Sequence, residues 1–253
     1  DAHVQAPTAG SVLLAGVLLK MGGYGLLRIG VTIMPDMLEQ FAIPIAIMGV
    51  ISMVYGAFLS LGQDDLKSMV AYSSVSHMGF VLLGIATMTA MGVAGAVFQM
   101  FAHGLISGAL FMLCGSAHHA TGTRSISKLG GITSKMPVFA ALTVATFLAS
   151  LGLPGMAGFI AEALVFMATF EAFGWWILFP IITIALTAGY YLFALQRAYF
   201  GPFNEELGDI KDIHRHETLP ISVLVGLMIL FGIWPMLMMR GIITWIGGLP
   251  IFG

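Results

Sequence analysis

The 253-residue chain contains few charged residues and almost no cysteine. Asp, Glu, Lys and Arg make up 9% of the residues and hydrophobic residues 58%, and the mean hydropathy is +0.98. Soluble domains carry about 25% charged residues, so this composition excludes an ordinary soluble domain. A single cysteine, Cys114, cannot form a disulfide framework or a thiolate metal site on its own. The net charge of −2 and the lack of a basic stripe argue against a nucleic-acid partner.

Motifs that hold redox cofactors are also missing from the sequence. No Gly-x-Gly-x-x-Gly segment opens a helix after a strand, and no cysteine cluster is available for an iron–sulfur centre.

Two pairs of histidines leave a metal site or a haem site open as alternatives. His214 and His216 could bind a metal, although no third ligand has a supporting spacing. His77 and His103 could clasp a haem from adjacent helices. We expect this chain to bind no cofactor and no metal itself.

Long hydrophobic runs dominate the rest of the sequence. Spanning the hydrocarbon core of a bilayer takes about 20 apolar residues in a helix. Seven segments have this length and are bounded by Pro, Gly or charged residues: 11–31, 41–61, 69–90, 92–115, 137–170, 175–200 and 219–246. The sequence therefore predicts an all-α, polytopic membrane helix bundle with these seven spans as transmembrane helices. We expect residues 1–253 to form a single membrane domain.

The fifth segment is too long for one straight span. From Pro137 to Phe170 it holds 34 residues. That is about 51 Å of helix, against a hydrocarbon core of about 30 Å. Near its middle, Pro154 cannot donate a helical hydrogen bond, and Gly152 and Gly155 favour unwinding. We predict two half-helices joined by a short extended break, a feature that marks ion sites in transporters. A proline kink without function is the alternative.

Lysine and arginine are distributed unevenly between the two sets of alternate loops. One set contains Lys67, Arg124, Lys128, Lys135, Arg197, Lys211 and Arg215, and the other contains Arg28 and Arg240. This bias predicts that the N-terminal stretch 1–8 and the loops near 62–68, 116–136 and 201–218 face the cytoplasm or its equivalent. We interpret the highly charged stretch 204–217 as a solvated connection.

Four titratable residues lie well inside predicted spans, each on a different helix: Lys20, His77, His103 and Glu162. A charge near the bilayer centre costs about 2.5–3.5 kcal/mol on insertion scales, so such residues are functional candidates. Lys20 is about 13 Å from the end of its span, too far for its side chain to reach the interface. A lone buried histidine is more often only a satisfied hydrogen-bonding residue. Neutral imidazole can nevertheless relay protons, and the set of four predicts a lateral proton path. Further hydroxyls are supplied by Ser73, Ser74 and Ser76.

Several stretches of the sequence carry a resemblance to a known family. They are the stretches 1–12, 15–25, 66–80 and 102–111, and Gly152-Leu-Pro-Gly155 followed by Phe159-Ile-Ala-Glu162. Together they closely resemble the antiporter-like, proton-pumping membrane subunits of respiratory complex I. Among these subunits, the chain is most similar to the M type, also called NADH dehydrogenase subunit 4. The resemblance covers nearly the whole chain.

The resemblance implies a fourteen-helix subunit of which this chain supplies helices eight to fourteen, including one repeat with its broken helix. It matches Lys20 to the central lysine of helix eight. It matches His77 and His103 to the histidines of helices ten and eleven, and Glu162 to the glutamate of the broken helix. In the family these residues belong to a hydrated polar axis at the membrane midplane. The first repeat's glutamate and lysine would lie upstream of Asp1, so we expect the chain to be the C-terminal part of a longer polypeptide or a processed product.

By the same resemblance, we expect a proton-translocating membrane subunit of a redox-driven NADH:quinone oxidoreductase, without a redox site of its own. NADH or reduced coenzyme F420 (F420H2), FMN, iron–sulfur clusters and quinone would belong to other subunits. The implied partners are antiporter-like neighbours, lipid and protons, in the inner (plasma) membrane or an equivalent energy-transducing membrane. One alternative is a subunit of an F420H2 dehydrogenase or membrane-bound hydrogenase. Another is a multisubunit Na⁺/H⁺ antiporter, which the motif Pro7-Thr-Ala-Gly-Ser-Val12 disfavours.

Overall fold

The computed structural model describes residues 2–249 and 251–252, and it is helical almost throughout. The helices are α1 Ala2–Gln5, α2 Thr8–Val31, α3 Pro35–Gln40, α4 Ala42–Leu61, α5 Leu66–Ala86, α6 Ala90–Thr121, α7 Pro137–Ser150, α8 Ala157–Phe173, α9 Leu178–Ala194, α10 Arg215–Ile233 and α11 Met236–Gly247. Among the described residues, six helical segments are long and apolar enough to cross a membrane, and one of these contains both α8 and α9. No strand occurs within the described ranges. The predicted all-α, polytopic bundle is confirmed.

The predicted break in the fifth span is confirmed. Helix α7 ends at Ser150 and α8 begins at Ala157. The two helices contain 14 and 17 residues, or about 21 and 26 Å, so neither crosses a core of about 30 Å alone. Gly152 and Gly155 have φ values of 77° and 92° in the connecting turn. Glycine adopts this left-handed region without the steric cost that a side chain brings.

The last predicted span, 219–246, is wrong as a continuous helix. Helix α10 ends at Ile233 and α11 begins at Met236, after Pro235. A proline disfavours helical geometry in the residue before it, and Trp234 has φ −124° and ψ 61°. The 12 residues of α11 extend about 18 Å, which is too short for a full span.

Several predicted helix boundaries differ from the structure by a few residues, and two of them have a clear local cause. Helix α5 begins before residue 69 because the Asp65 carboxylate accepts a hydrogen bond from the Ser68 N–H at 2.9 Å and caps the helix. Helix α6 continues past residue 115 to Thr121 and ends where Gly122 takes a φ of 72°. Left-handed glycine is a common way to end a helix.

Helices α5 and α6 form the centre of the bundle, and most of their residues are buried. Helix α4 lies directly against α5 at small residues. A Cβ atom on Gly79 would lie 2.6 Å from the carbonyl oxygen of Gly49, so the two backbones are in contact. Small residues allow this close approach between helices in membranes. The arrangement buries the polar residues of α5 and α6 in the interior.

The loops predicted to share one side of the membrane do lie together. Asp64 accepts hydrogen bonds from Ser125 and Ser127, which joins the α4–α5 loop to the α6–α7 loop. Burial raises the pKa of Asp64, but these hydrogen bonds outweigh it and leave the pKa below its ordinary value. The Asn204 amide donates to the Lys128 carbonyl at 2.8 Å, which joins the α9–α10 loop to the same face. Further contacts on this face are Lys67 with the Ala6 carbonyl and Arg124 with the Val4 carbonyl. Asp1 lies outside the described residues.

Candidate functional site

Four residues singled out from the sequence lie in one file, in which Lys20 is half-buried and the other three are buried. The Lys20 Nζ lies 2.7 Å from the Nδ1 of His103. The ring centroids of His103 and His77 are 5.5 Å apart. The Nδ1 of His77 lies 3.5 Å from the Oε1 of Glu162. His77, His103 and Glu162 are each less than 5% exposed. The file therefore has an amine at one end, a carboxyl at the other and two imidazoles between them.

Lys20 is positioned by an irregular helix. It follows the π-helical stretch Leu14–Leu18 of α2, and its Nζ also donates to the Ala15 carbonyl in that stretch. Single π-helical turns inside α-helices occur frequently at functional sites. Beside Lys20, a Cβ atom on Gly104 would lie 3.1 Å from the Gly16 carbonyl oxygen, so α2 and α6 approach closely. This approach brings the Lys20 ammonium to His103. Ammonium only donates hydrogen bonds, so Nδ1 of His103 accepts when Lys20 is charged.

His77 has additional polar neighbours that we did not predict. Its Nε2 lies 3.2 Å from the Ser150 Oγ, and its Nδ1 lies 3.5 Å from the Gln99 Nε2. Ser150 donates to the Tyr191 hydroxyl at 2.8 Å. Gln99 lies four residues, about one helical turn, before His103, a spacing visible in the sequence. Ser150 is the last residue of α7 before the predicted break.

Two of the three serines predicted beside His77 have other partners. Ser74 donates to the Val70 carbonyl at 3.2 Å, and Ser76 donates to the Met53 carbonyl at 2.9 Å. Serine in a helix often bonds back to a carbonyl about one turn earlier, which explains Ser74. Ser73 alone connects toward His77, because its hydroxyl accepts a hydrogen bond from Tyr191 at 3.1 Å.

The break between α7 and α8 is part of the site. Gly152 passes so close to Glu162 that a Cβ atom on it would lie 2.5 Å from the carboxyl Oε2. The turn is held from the other side by α10, where Gly232 contacts the backbone of Gly155 and Met156. The break therefore leaves space for the Glu162 carboxyl on one side and packs against α10 through its backbone.

His3 is a further polar residue near the file that sequence reasoning left unassigned. Its ring lies beside Phe111, with the centroids 5.8 Å apart. Its Nε2 has no hydrogen-bond partner within the described ranges. Burial lowers the pKa of His3, and the charges of Lys20 and Lys67 act in the same direction. His3 thus lies within electrostatic reach of both the file and the loop face.

The rings of His214 and His216 stack outside the bundle core, with their centroids 5.5 Å apart.

Comparison with known proteins settles the family. Residues 1–187 match the family described as NADH:quinone oxidoreductase/Mrp antiporter, transmembrane. The chain belongs to this family. It is 47% identical over 237 residues to F420H2 dehydrogenase subunit M of Methanosarcina mazei, covering 93% of this chain and 48% of that protein. It is 42% identical over 236 residues to NADH-quinone oxidoreductase subunit M of Rickettsia typhi, again covering 93% and 48%. The chain thus spans about half the length of these relatives.

Solved structures with the same fold come from large membrane assemblies. Respiratory complex I from Thermus thermophilus contains a chain that matches with a TM-score of 0.90 and 28% identity, covering 98% of this chain and 52% of that one. The Mrp complex from Dietzia matches with a TM-score of 0.90 at 18% identity, covering 100% and 57%, which is a likeness of fold alone. The chain is a multi-pass membrane protein whose relatives include subunits of F420H2 dehydrogenase and of NADH-quinone oxidoreductase.

Proposed function

We propose that this chain forms the proton-translocating, C-terminal half of an antiporter-like subunit in a redox-driven complex of the complex I type. The observation that carries the proposal is the file from Lys20 through His103 and His77 to Glu162, with atom-to-atom distances of 2.7 and 3.5 Å at its two ends and 5.5 Å between the two ring centroids. Ionisable groups at this depth are costly unless they pair or are hydrated, and they mark proton relays in pumps. The family membership supports the same assignment.

The residues of the file would share the proton transfer as follows. Protonated Glu162 gives its proton to Nδ1 of neutral His77, which lies 3.5 Å away. A water molecule beside the two rings would pass it from His77 to His103, whose ring centroids are 5.5 Å apart. His103 passes the proton to the amine form of Lys20, its neighbour at 2.7 Å. Lys20 alternates between amine and ammonium, and Glu162 exchanges protons with one aqueous side beside the break.

The electron-transfer chemistry would take place in other subunits. NADH or F420H2 would supply the electrons, FMN and iron–sulfur clusters would carry them, and a quinone or similar carrier would accept them. The partners of this chain would be neighbouring antiporter-like subunits. F420H2 is the second candidate donor, favoured by the 47% identity to the Methanosarcina mazei subunit, compared with 42% for the Rickettsia typhi subunit.

The test is proton pumping by the assembled complex in reconstituted vesicles. We expect Lys20→Ala and Glu162→Gln to reduce the protons moved per electron while the complex still assembles. Lys20→Arg should not restore pumping, because guanidinium has a pKa above about 12 and does not release its proton. Lys128→Ala is the matched control, since Lys128 is exposed on the loop face. Native pumping in Lys20→Ala would remove this lysine from the mechanism.

A further inference from the structure

A chain of hydroxyl groups starts at the Nε2 of His77, the ring nitrogen that does not face Glu162. The Ser150 Oγ lies 3.2 Å from this nitrogen and 2.8 Å from the Tyr191 hydroxyl. The Tyr191 hydroxyl lies 3.1 Å from the Ser73 Oγ, which lies 2.8 Å from the Val70 carbonyl oxygen. Ser73, Ser150 and Tyr191 are all buried. The chain joins α5, α9 and the end of α7 at one imidazole.

The last member of the chain fixes the direction of every hydrogen bond in it. A carbonyl oxygen can only accept, so the Ser73 hydroxyl uses its single proton on Val70. Ser73 must then accept from Tyr191, and Tyr191 must accept from Ser150. The Ser150 proton is thereby used as well, so the contact between Ser150 and His77 requires a proton on Nε2.

We propose that Tyr191 and Ser150 are positioning residues that hold neutral His77 as the Nε2–H tautomer, with the lone pair of Nδ1 directed at Glu162. The inference rests on the proposed function and adds how His77 is prepared to receive a proton. The side-chain amide of Gln99 lies beside the same nitrogen, 3.5 Å from Nδ1. In this tautomer, Nδ1 is free to accept from the Glu162 carboxyl at 3.5 Å. While the Glu162 carboxyl carries its proton, the other tautomer would place two protons in that gap.

The hydroxyl chain acts as a clamp and not as a second proton path. It ends on a backbone carbonyl, which has no proton to pass on. His77 therefore takes up the proton of Glu162 at Nδ1 and releases it from the same nitrogen toward the water that serves His103, while the Nε2–H bond holds the ring orientation. A hydrogen bond to the other ring nitrogen commonly fixes the tautomer of a functional histidine.

The first experiment removes one hydroxyl at the middle of the chain. Tyr191→Phe keeps the ring contact with Phe147, whose centroid lies 4.7 Å away, but leaves Ser150 without its acceptor. The freed Ser150 hydroxyl can turn and donate to Nε2, which moves the imidazole proton to Nδ1. We expect the protons moved per electron to fall toward the value of Lys20→Ala, in the complete complex in vesicles. Tyr199→Phe is the control, since Tyr199 is also buried against Phe147 and takes no part in the chain.

A double substitution separates positioning from packing. Ser150→Ala alone removes both the acceptor and the potential donor at Nε2, so neither tautomer is enforced and pumping is only partly reduced. Tyr191→Phe combined with Ser150→Ala should pump better than Tyr191→Phe alone, because the misdirected donor is gone. A purely structural role predicts the opposite order, with two buried defects doing more damage than one. A double variant that pumps less than either single variant would overturn the proposal.

The outcomes also separate this inference from the proposed function. If Lys20→Ala abolishes pumping but Tyr191→Phe pumps like Tyr199→Phe, only the positioning role fails. If Lys20→Ala pumps like the native complex, the proposed function fails, and the role of His77 fails with it. Loss of pumping in Tyr191→Phe with recovery in the double variant supports both the proposed function and the positioning role of Tyr191 and Ser150.

Discussion

At the scale of single residues, Gly152 and Glu162 determine each other's position. Gly152 has a φ of 77°, and a Cβ atom on it would lie 2.5 Å from the Glu162 Oε2. Gly155 has a φ of 92° in the same turn, but a Cβ atom there would meet nothing within 4 Å. Both glycines therefore need a positive φ, but only Gly152 lies against the Glu162 carboxyl.

This difference yields a prediction. Alanine at either position should destabilise the protein by about 1–2 kcal/mol, the cost of a left-handed residue with a side chain. Gly152→Ala should in addition displace the Glu162 carboxyl and reduce proton pumping, whereas Gly155→Ala should keep native pumping. Thermal unfolding of the purified complex measures the first effect, and pumping in vesicles measures the second. Equal pumping by the two variants would show that the placement of Glu162 does not depend on Gly152.

The sequence singled out some residues of the file and missed others that contact it, for a physical reason. Lys20 and Glu162 stand out because a charge in an apolar run costs several kcal/mol, which few positions tolerate. Gln99, Ser150 and Tyr191 do not stand out, because uncharged polar side chains are inexpensive in membrane helices and often bond within their own helix. Their connection to His77 depends on how α6, α7 and α9 pack, which no local pattern encodes.

At the scale of helices, α10 packs directly on the break. Gly232 of α10 lies in contact with the backbone of Gly155 and Met156, so no side chain fits between them. Gly226, in the same helix, has nothing within 4 Å of the position of a Cβ atom. Glycine is therefore required at one position of α10 and only tolerated at the other.

Alanine substitutions at these two positions should have opposite effects. Gly232→Ala should destabilise the protein by about 1–3 kcal/mol, because the added methyl group meets backbone atoms that cannot move aside cheaply. Gly226→Ala should stabilise it by up to about 1 kcal/mol, because alanine is the better helix former. Thermal unfolding in one detergent measures both. A destabilised Gly226→Ala or an unaffected Gly232→Ala would contradict the packing described for α10.

The helix boundaries show which structural signals are local. Pro154 with its neighbouring glycines predicted the break correctly, because the missing N–H and the left-handed turn are properties of those residues themselves. The same reasoning applies to Pro235, which follows the end of α10, although the hydrophobic pattern predicts one continuous span across it. The π-helical stretches of α2 have no sequence signal. The stretch Leu14–Leu18 lies where α2 packs on Gly104, which is a tertiary contact, and where Lys20 bonds to the Ala15 carbonyl within the same helix.

At the scale of the whole molecule, the loops divide into two sets on opposite faces. The α4–α5, α6–α7 and α9–α10 loops are joined by the hydrogen bonds of Asp64, Asn204 and Asp212. Seven lysines and arginines were assigned to this face from the sequence, against two for the opposite face. Positively charged loops are retained in the cytoplasm during insertion, so the charge bias predicts the orientation of the whole bundle.

Cysteine labelling tests that orientation. Lys128 is exposed on the loop face and Glu171 is exposed near the opposite end of α8, while the native Cys114 is 4% exposed and should remain unlabelled. In sealed vesicles of cytoplasmic-side-out orientation, a membrane-impermeant maleimide should label Lys128→Cys at once. It should label Glu171→Cys only after the vesicles are opened with detergent, and the unsubstituted chain serves as the control. Because both substitutions replace exposed side chains, neither should change the assembly that the label reports on. The reverse pattern would mean that the bundle is inverted, and Glu162 would then exchange protons with the other aqueous side.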